Sequence, residues 1–128
     1  MNLSRASLVA ASLTAAAAVA LGAFGAHALR GLLDERALAL WHTATNYQFW
    51  HALALLAVGM LARTRATPAL RFAACAFFVG IVVFCASLYA LALGAPRMLG
   101  AVTPLGGVAF IAGWFALAWH GWRDVASQ

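Results

Sequence analysis

Lysine is missing from this chain altogether and acid is nearly so: eight arginines stand against Asp34, Glu35 and Asp124, for a net charge of +5 over 128 residues. Only 9% of the residues are charged, where soluble domains approach about a quarter, and 66% are hydrophobic. Charge this dilute cannot cover an ordinary aqueous surface, so the expected solvent is lipid and the expected unit a single domain. A nucleic-acid surface is excluded as well. Phosphate binding needs basic groups gathered on one soluble face, whereas these arginines punctuate apolar runs. All three acids lie outside those runs, which leaves carboxylate acid–base chemistry within the membrane without a candidate residue. No glycine-rich phosphate loop and no Ser/His/Asp set is present, so the chain does not read as an enzyme. Cysteine is scarce too. Cys75 and Cys85 are ten positions apart in one apolar run, about 15 Å of helical rise, too far to bridge. With no CxxC pattern beside them they read as small buried apolar residues.

What is abundant is uninterrupted apolar sequence. Charge-free runs cover Ala6–Leu29, Ala37–Ala62, Phe72–Pro96 and Met98–Trp122, each longer than the roughly 20 residues a helix needs to cross hydrocarbon. The expectation is an all-α, four-transmembrane-helix bundle. It forms one membrane domain over 1–128, with helices at about 6–28, 37–62, 70–93 and 98–120. "GAPRM" leaves room only for a tight hairpin between the last two helices. In a four-span chain, Arg5, Arg63, Arg65, Arg71 and Arg123 fall on one side and Arg30, Arg36 and Arg97 on the other. The positive-inside rule then puts both termini in the cytoplasm of a multi-pass chain. Asp34 and Glu35 in "RGLLDERALALW" suit the first turn of the second helix, where negative charge is favoured.

The first run ends in Ala26-His27-Ala28, a small-residue pattern that also marks signal-peptide cleavage sites. Ala6 to Phe24 is about 19 residues, longer than the 7–15 of a signal core, so the segment is expected to be retained as a span. Small residues at Ala18-xxx-Gly22, and Gly106 with Gly113 on the fourth helix, are expected to allow close helix approach. Thr103-Pro104 suits a helix's first turn.

Polar side chains crowd the start of the second helix, "LWHTATNYQFWHALALL". An unpaired polar group in hydrocarbon costs on the order of 1–3 kcal/mol, so these residues are expected to face other helices. Thr43, Tyr47 and His51 form one row, His42 and Asn46 a second, and Gln48 points elsewhere. This end of the helix is expected at the membrane interface, with Ala52 to Ala62 more deeply embedded. His27, Tyr47, His51, Tyr89, Arg97 and Thr103 all fall toward the external face in the four-span reading. With Thr43, Asn46 and Gln48 they make a candidate buried polar cluster. Intramembrane ionisable residues are functional candidates, yet Asn, Gln and Thr also join helices by hydrogen bonds. Arg97 either snorkels to headgroups or turns inward to bind an anion. The histidines make a weak metal or haem set: His42 and His51 project oppositely, His120 lies at the other membrane face, and only His27 with His51 remains. No cofactor is expected.

The blocks "GAFGAHAL", "YQFWHALALLAVG", "SLYALAL", "RMLGAVTPLGG" and "IAGW" together resemble the YgdD-like group of small bacterial inner-membrane proteins, which has a short eukaryotic transmembrane relative. The likeness runs from about Leu21 to Trp114, and the alanine-heavy start of the first helix lies outside it. It implies a four-helix integral membrane protein with a retained first segment and no established reaction. The expected role is structural, through packing in the lipid bilayer against a second copy (a homo-oligomer) or another membrane protein. The alternative is a small oligomeric transporter or ligand-binding protein that uses the external polar cluster.

Overall fold

The computed structural model describes residues 2–125, the side chains of Asp124 and Val125 excepted. The termini Met1 and Gln128, which the arginine count assigns to the cytoplasm, lie outside the described residues. Four helices run up and down: α1 (Leu3–His27), α2 (Glu35–Leu61), α3 (Pro68–Ala92) and α4 (Thr103–Val125). Each of the first three starts on a side chain able to accept an orphan amide. Asn2 accepts from Arg5 N, Asp34 from Ala37 N and Thr67 from Leu70 N. Pro68 follows Thr67, where its missing N–H costs nothing.

The turns are read from their glycines. After α3 the chain stops in a Schellman arrangement: Gly94 takes φ +93 and Ala95 N donates to Ala90 O at 2.9 Å. The last helix does not begin at 98, as the apolar run suggests. Arg97–Ala101 forms a separate 3₁₀ turn and the α-helix begins at Thr103. Pro104 cannot donate to Gly100 O, so a helix started at 98 would lose that bond and clash with the carbonyl.

Helix α1 packs chiefly on α2, α2 on α3, and α3 on α4, each pair antiparallel. Small residues at heptad spacing on α1, Ser4, Ala11, Ala18 and Gly25, turn to α2, and Gly25 accommodates the Trp41 ring. Gly22 is not part of that seam, because a Cβ there would meet nothing within 4 Å. The core lies between α2, α3 and α4 around Leu55, Val58, Leu70, Phe77 and Cys85. Cys85 is buried as expected, but Cys75 is exposed, on the outer side of α3. The outward sides of α1 and α4 expose large apolar groups, among them Leu13, Val19 and Leu105.

By length and composition three stretches can cross a membrane: Leu3–His27, Pro68–Ala92 and Arg97–Arg123. Helix α2 is as long as these, 27 residues, but its polar run between His42 and His51 lowers its hydropathy.

Candidate functional site

The polar residues of α2 take their position from the seam with α1. Ser4 Oγ donates to Gly59 O at 2.9 Å, Gln48 Nε2 to Thr14 O at 2.9 Å and Trp41 Nε1 to Leu21 O at 2.8 Å. These bonds pin one end, the middle and the other end of one antiparallel pair. Thr14 is the twelfth residue of a helix of 25, and Gln48 the fourteenth of one of 27. Gln48 therefore lies midway along the bundle, not at its rim, and it is buried. Its Oε1 accepts from Tyr89 Oη at 2.8 Å, so one amide joins α1, α2 and α3. Gln48 is expected off both rows but within the buried cluster, and it is buried, bonded to two neighbouring helices. It lies on the stripe Trp41, Ala44, Gln48, His51, Leu55 and Val58, whose three- and four-residue spacing defines the buried face of α2.

His51 is the second centre. Its Nδ1 lies 2.7 Å from Tyr47 O, and Trp114 Nε1 reaches its Nε2 at 3.2 Å. A carbonyl can only accept and an indole N–H can only donate. The imidazole must carry its proton on Nδ1 and present a bare Nε2 to Trp114. The ring stacks on Phe110 with centroids 3.5 Å apart and planes 11° from parallel, and Phe77 and Tyr47 complete its surroundings. Both nitrogens are occupied, so neither is left for a ligand. Tyr47 contributes its carbonyl and its ring, the latter packed 4.7 Å from that of Phe84.

Facing these residues, α3 loses its α-helical register for one turn. Ile81–Cys85 is π-helical, which widens the turn and disturbs carbonyl pairing. Ser87 Oγ donates to Phe84 O at 2.8 Å and lies 2.7 Å from Thr103 Oγ1. With its own proton on Phe84 O, Ser87 accepts from Thr103, and the first residue of α4 is thereby tied to the irregular turn.

The nine residues of the expected cluster do not form one pocket. Tyr47, Gln48, His51 and Tyr89 meet in mid-bundle, and Thr103 pairs with Ser87 apart from them. Thr43 and Asn46 are exposed, and the Thr43 hydroxyl donates back to Ala39 O. They lie on the side of α2 away from the stripe that α1 and α3 cover. His27, at the last turn of α1, and Arg97, in the 3₁₀ turn, are exposed as well. Arg97 borders an open cleft with Asp34 and Arg36. His27 and His51 therefore do not pair, and among the described residues no group of three or more His, Cys, Asp or Glu could hold a metal ion.

Thr14, Ser87 and Trp114 escaped the sequence reading, whereas Trp41 belongs to the crowded stretch expected to face other helices, as it does. Trp114 carried a signal: tryptophan normally sits in belts at the ends of membrane helices, and this one is the twelfth of 23 residues in α4. An indole there needs an acceptor on a neighbour. Replacing Gln48 with Leu is expected to cost about 1–2 kcal/mol. A double-mutant cycle with Tyr89→Phe, read by thermal unfolding in detergent, should return a coupling of about 0.6–1.7 kcal/mol for the amide–phenol bond. Strict additivity would show that the bond is energetically silent.

The family described as "Protein of unknown function (DUF423)" matches residues 21–107, which include all of α2 and α3. A UPF0382 membrane protein of Staphylococcus epidermidis is 46% identical over 110 residues, 86% of this chain and 89% of that one. The UPF0382 membrane protein YwdK of Bacillus subtilis is 42% identical over 111 residues, 86% of this chain and 90% of its own. A Staphylococcus aureus relative, also a UPF0382 membrane protein, is 43% identical over 110 residues, with 86% and 89% covered. No solved structure is a significant match.

Proposed function

This chain belongs to the DUF423 family of proteins of unknown function, and from that premise we propose that it is a structural or interaction protein of the bacterial inner membrane. It crosses four times with both termini cytoplasmic, and it acts by packing against a second copy or another membrane protein. The observation that carries this reading is the closure of the interior. Gln48 and His51, both buried in mid-bundle, have both their polar ends occupied, Gln48 by groups of α1 and α3, and His51 by the Tyr47 carbonyl of its own helix and by Trp114 of α4. Among the described residues no buried side-chain nitrogen or oxygen is left without a partner. A transport or ligand site needs groups held in reserve for a substrate, and a closed network has none to offer.

Pairing supports four crossings. Helix α2 is bonded to α1 at both ends and in the middle, so if α1 crosses, α2 crosses with it, and its polar groups lie at mid-depth. Their bonds to α1, α3 and α4 make that depth tolerable. The two ends of the bundle divide the arginines five to three, and the richer end is cytoplasmic by the positive-inside rule. Retention of α1 is supported by what cleavage after Ala28 would remove: the acceptors of Gln48 and Trp41 and the small-residue stripe over α2. Membership of the YgdD-like group is part of the same proposal. Reporter fusions after Gln128, with intact mass measured on the purified chain, test it together. Cytoplasmic activity and a full-length mass are expected. Periplasmic activity rejects the orientation, and a chain starting near Leu29 rejects the retained first span.

A further inference from the structure

Where α3 begins and α4 ends, three basic side chains border one cleft of about 400 Å³: Arg65 from the loop before α3, and His120 and Arg123 from the last turns of α4. No carboxylate lines it among the described residues. His120 is only 8% exposed, and its Nδ1 lies 3.1 Å from Thr67 Oγ1. Among the described residues its Nε2 has no partner, and it is not a sealed polar atom, while His120 itself lines the cleft. The Arg123 guanidinium lies 5.6 Å from the centroid of the Trp119 ring, which keeps it at the cleft's edge. Pro68 and Ala69, in the first turn of α3, form another part of the wall; Pro68 has no N–H to offer, but an early amide such as that of Ala69 has no helical carbonyl to bond. From the cleft, which Trp119 also lines, toward mid-bundle, Trp119 and Phe115 stand four apart on one side of α4, 57% and 72% exposed.

We propose that this cleft binds the phosphodiester headgroup of an anionic phospholipid of the phosphatidylglycerol type. The phosphate oxygens accept from Arg65, Arg123 and His120 Nε2, and an acyl chain lies along Trp119 and Phe115. Guanidinium forks match phosphate oxygens bidentately. Anionic headgroups are the phosphates available at the depth where a span ends. The exposed apolar side directly below the basic groups selects a lipid over a free ion, which would have no use for it. The assignment rests on the bundle crossing a bilayer but not on the direction of crossing, and the reporter fusions test that crossing without reference to lipid.

The full chain in mild detergent, titrated with phosphatidylglycerol or with phosphatidylcholine and read by native mass spectrometry, tests the site. The native protein should hold the anionic lipid about tenfold more tightly than the zwitterionic one, and the variant Arg65→Gln/Arg123→Gln should lose about that factor. Arg36→Gln/Arg97→Gln, at the other end of the bundle, should not. Arg65 is exposed and in a loop, so Arg65→Gln alone carries the test if the double variant fails to fold. Equal retention of the two lipids, or undiminished phosphatidylglycerol binding in the cleft variants, overturns the proposal. Displacement of the lipid by inorganic phosphate alone reassigns the cleft to free phosphate and overturns the lipid assignment.

Discussion

Replacing Gly106 with alanine is expected to destabilise the bundle by about 1–3 kcal/mol, although Gly→Ala within a helix ordinarily stabilises by roughly 0.5–1 kcal/mol. A Cβ at this position would run into the backbone nitrogen of Phe84 and come within 2.8 Å of its Cα. A side chain in the way can rotate, but a backbone cannot, so α4 would have to move off α3. That movement would disturb the whole seam, because a Cβ at Gly80 would meet the Phe110 ring and one at Gly113 the Phe77 ring. Phe84 belongs to the π-helical turn, which places the close approach where α3 is already irregular and where Ser87 and Thr103 tie the helices together. Two controls isolate the cause. At Gly107 an added Cβ would lie 3.9 Å from the Phe84 ring, an ordinary contact, and at Gly22 it would meet nothing within 4 Å. Both alanine variants should melt at or above the native temperature when unfolding is followed by circular dichroism in detergent. A Gly106→Ala protein that melted with them would show that the close crossing contributes nothing.

The four helices were legible because they are set by a property of single residues. Arginine and the Gly-Pro turn punctuate apolar runs, and caps such as Asp34 and Thr67 stand where orphan amides need acceptors. The spacing of Gly106 and Gly113 also pointed correctly to one seam, since both face α3. Position within the bundle was another matter. Thr43 and Gln48 are both polar and five residues apart, yet one is exposed and bonded to its own helix while the other joins three helices. Periodicity assigns residues to rows, but which row is covered depends on where α1 and α3 sit, and that is a tertiary fact. The same limit applies to depth. Crowded polar residues suggested an interface, whereas the register with α1 puts Gln48 in mid-bundle, opposite Thr14. The π-helical turn left no mark that composition or spacing could register. "GIVVFCAS" reads as an unbroken apolar helix, and the extra residue in the turn becomes visible only against Gly106.

His51→Ala is expected to have the largest effect of any single change, about 2–4 kcal/mol of lost stability, somewhat under the range for deleting a buried phenyl ring. The imidazole fills space between α2 and α4: one side lies on Phe110, and Phe77, Tyr47 and Trp114 surround the rest. Deleting it leaves a void bounded by rings that cannot all collapse into it. It also takes the acceptor from Trp114, a smaller loss because that indole is 48% exposed. His51→Phe divides the two contributions. Phenylalanine keeps the stack on Phe110 and most of the volume while removing both hydrogen bonds, so it should cost less than about 2 kcal/mol, the range measured for interhelical hydrogen bonds in membranes. Thermal unfolding of the two variants in the same detergent gives the comparison, and the expected order is native, then Phe, then Ala. If alanine and native protein melted together, the ring would not be a packing element. The closed interior would then no longer support a structural role, and His51 would need a different explanation, a site for something that binds there.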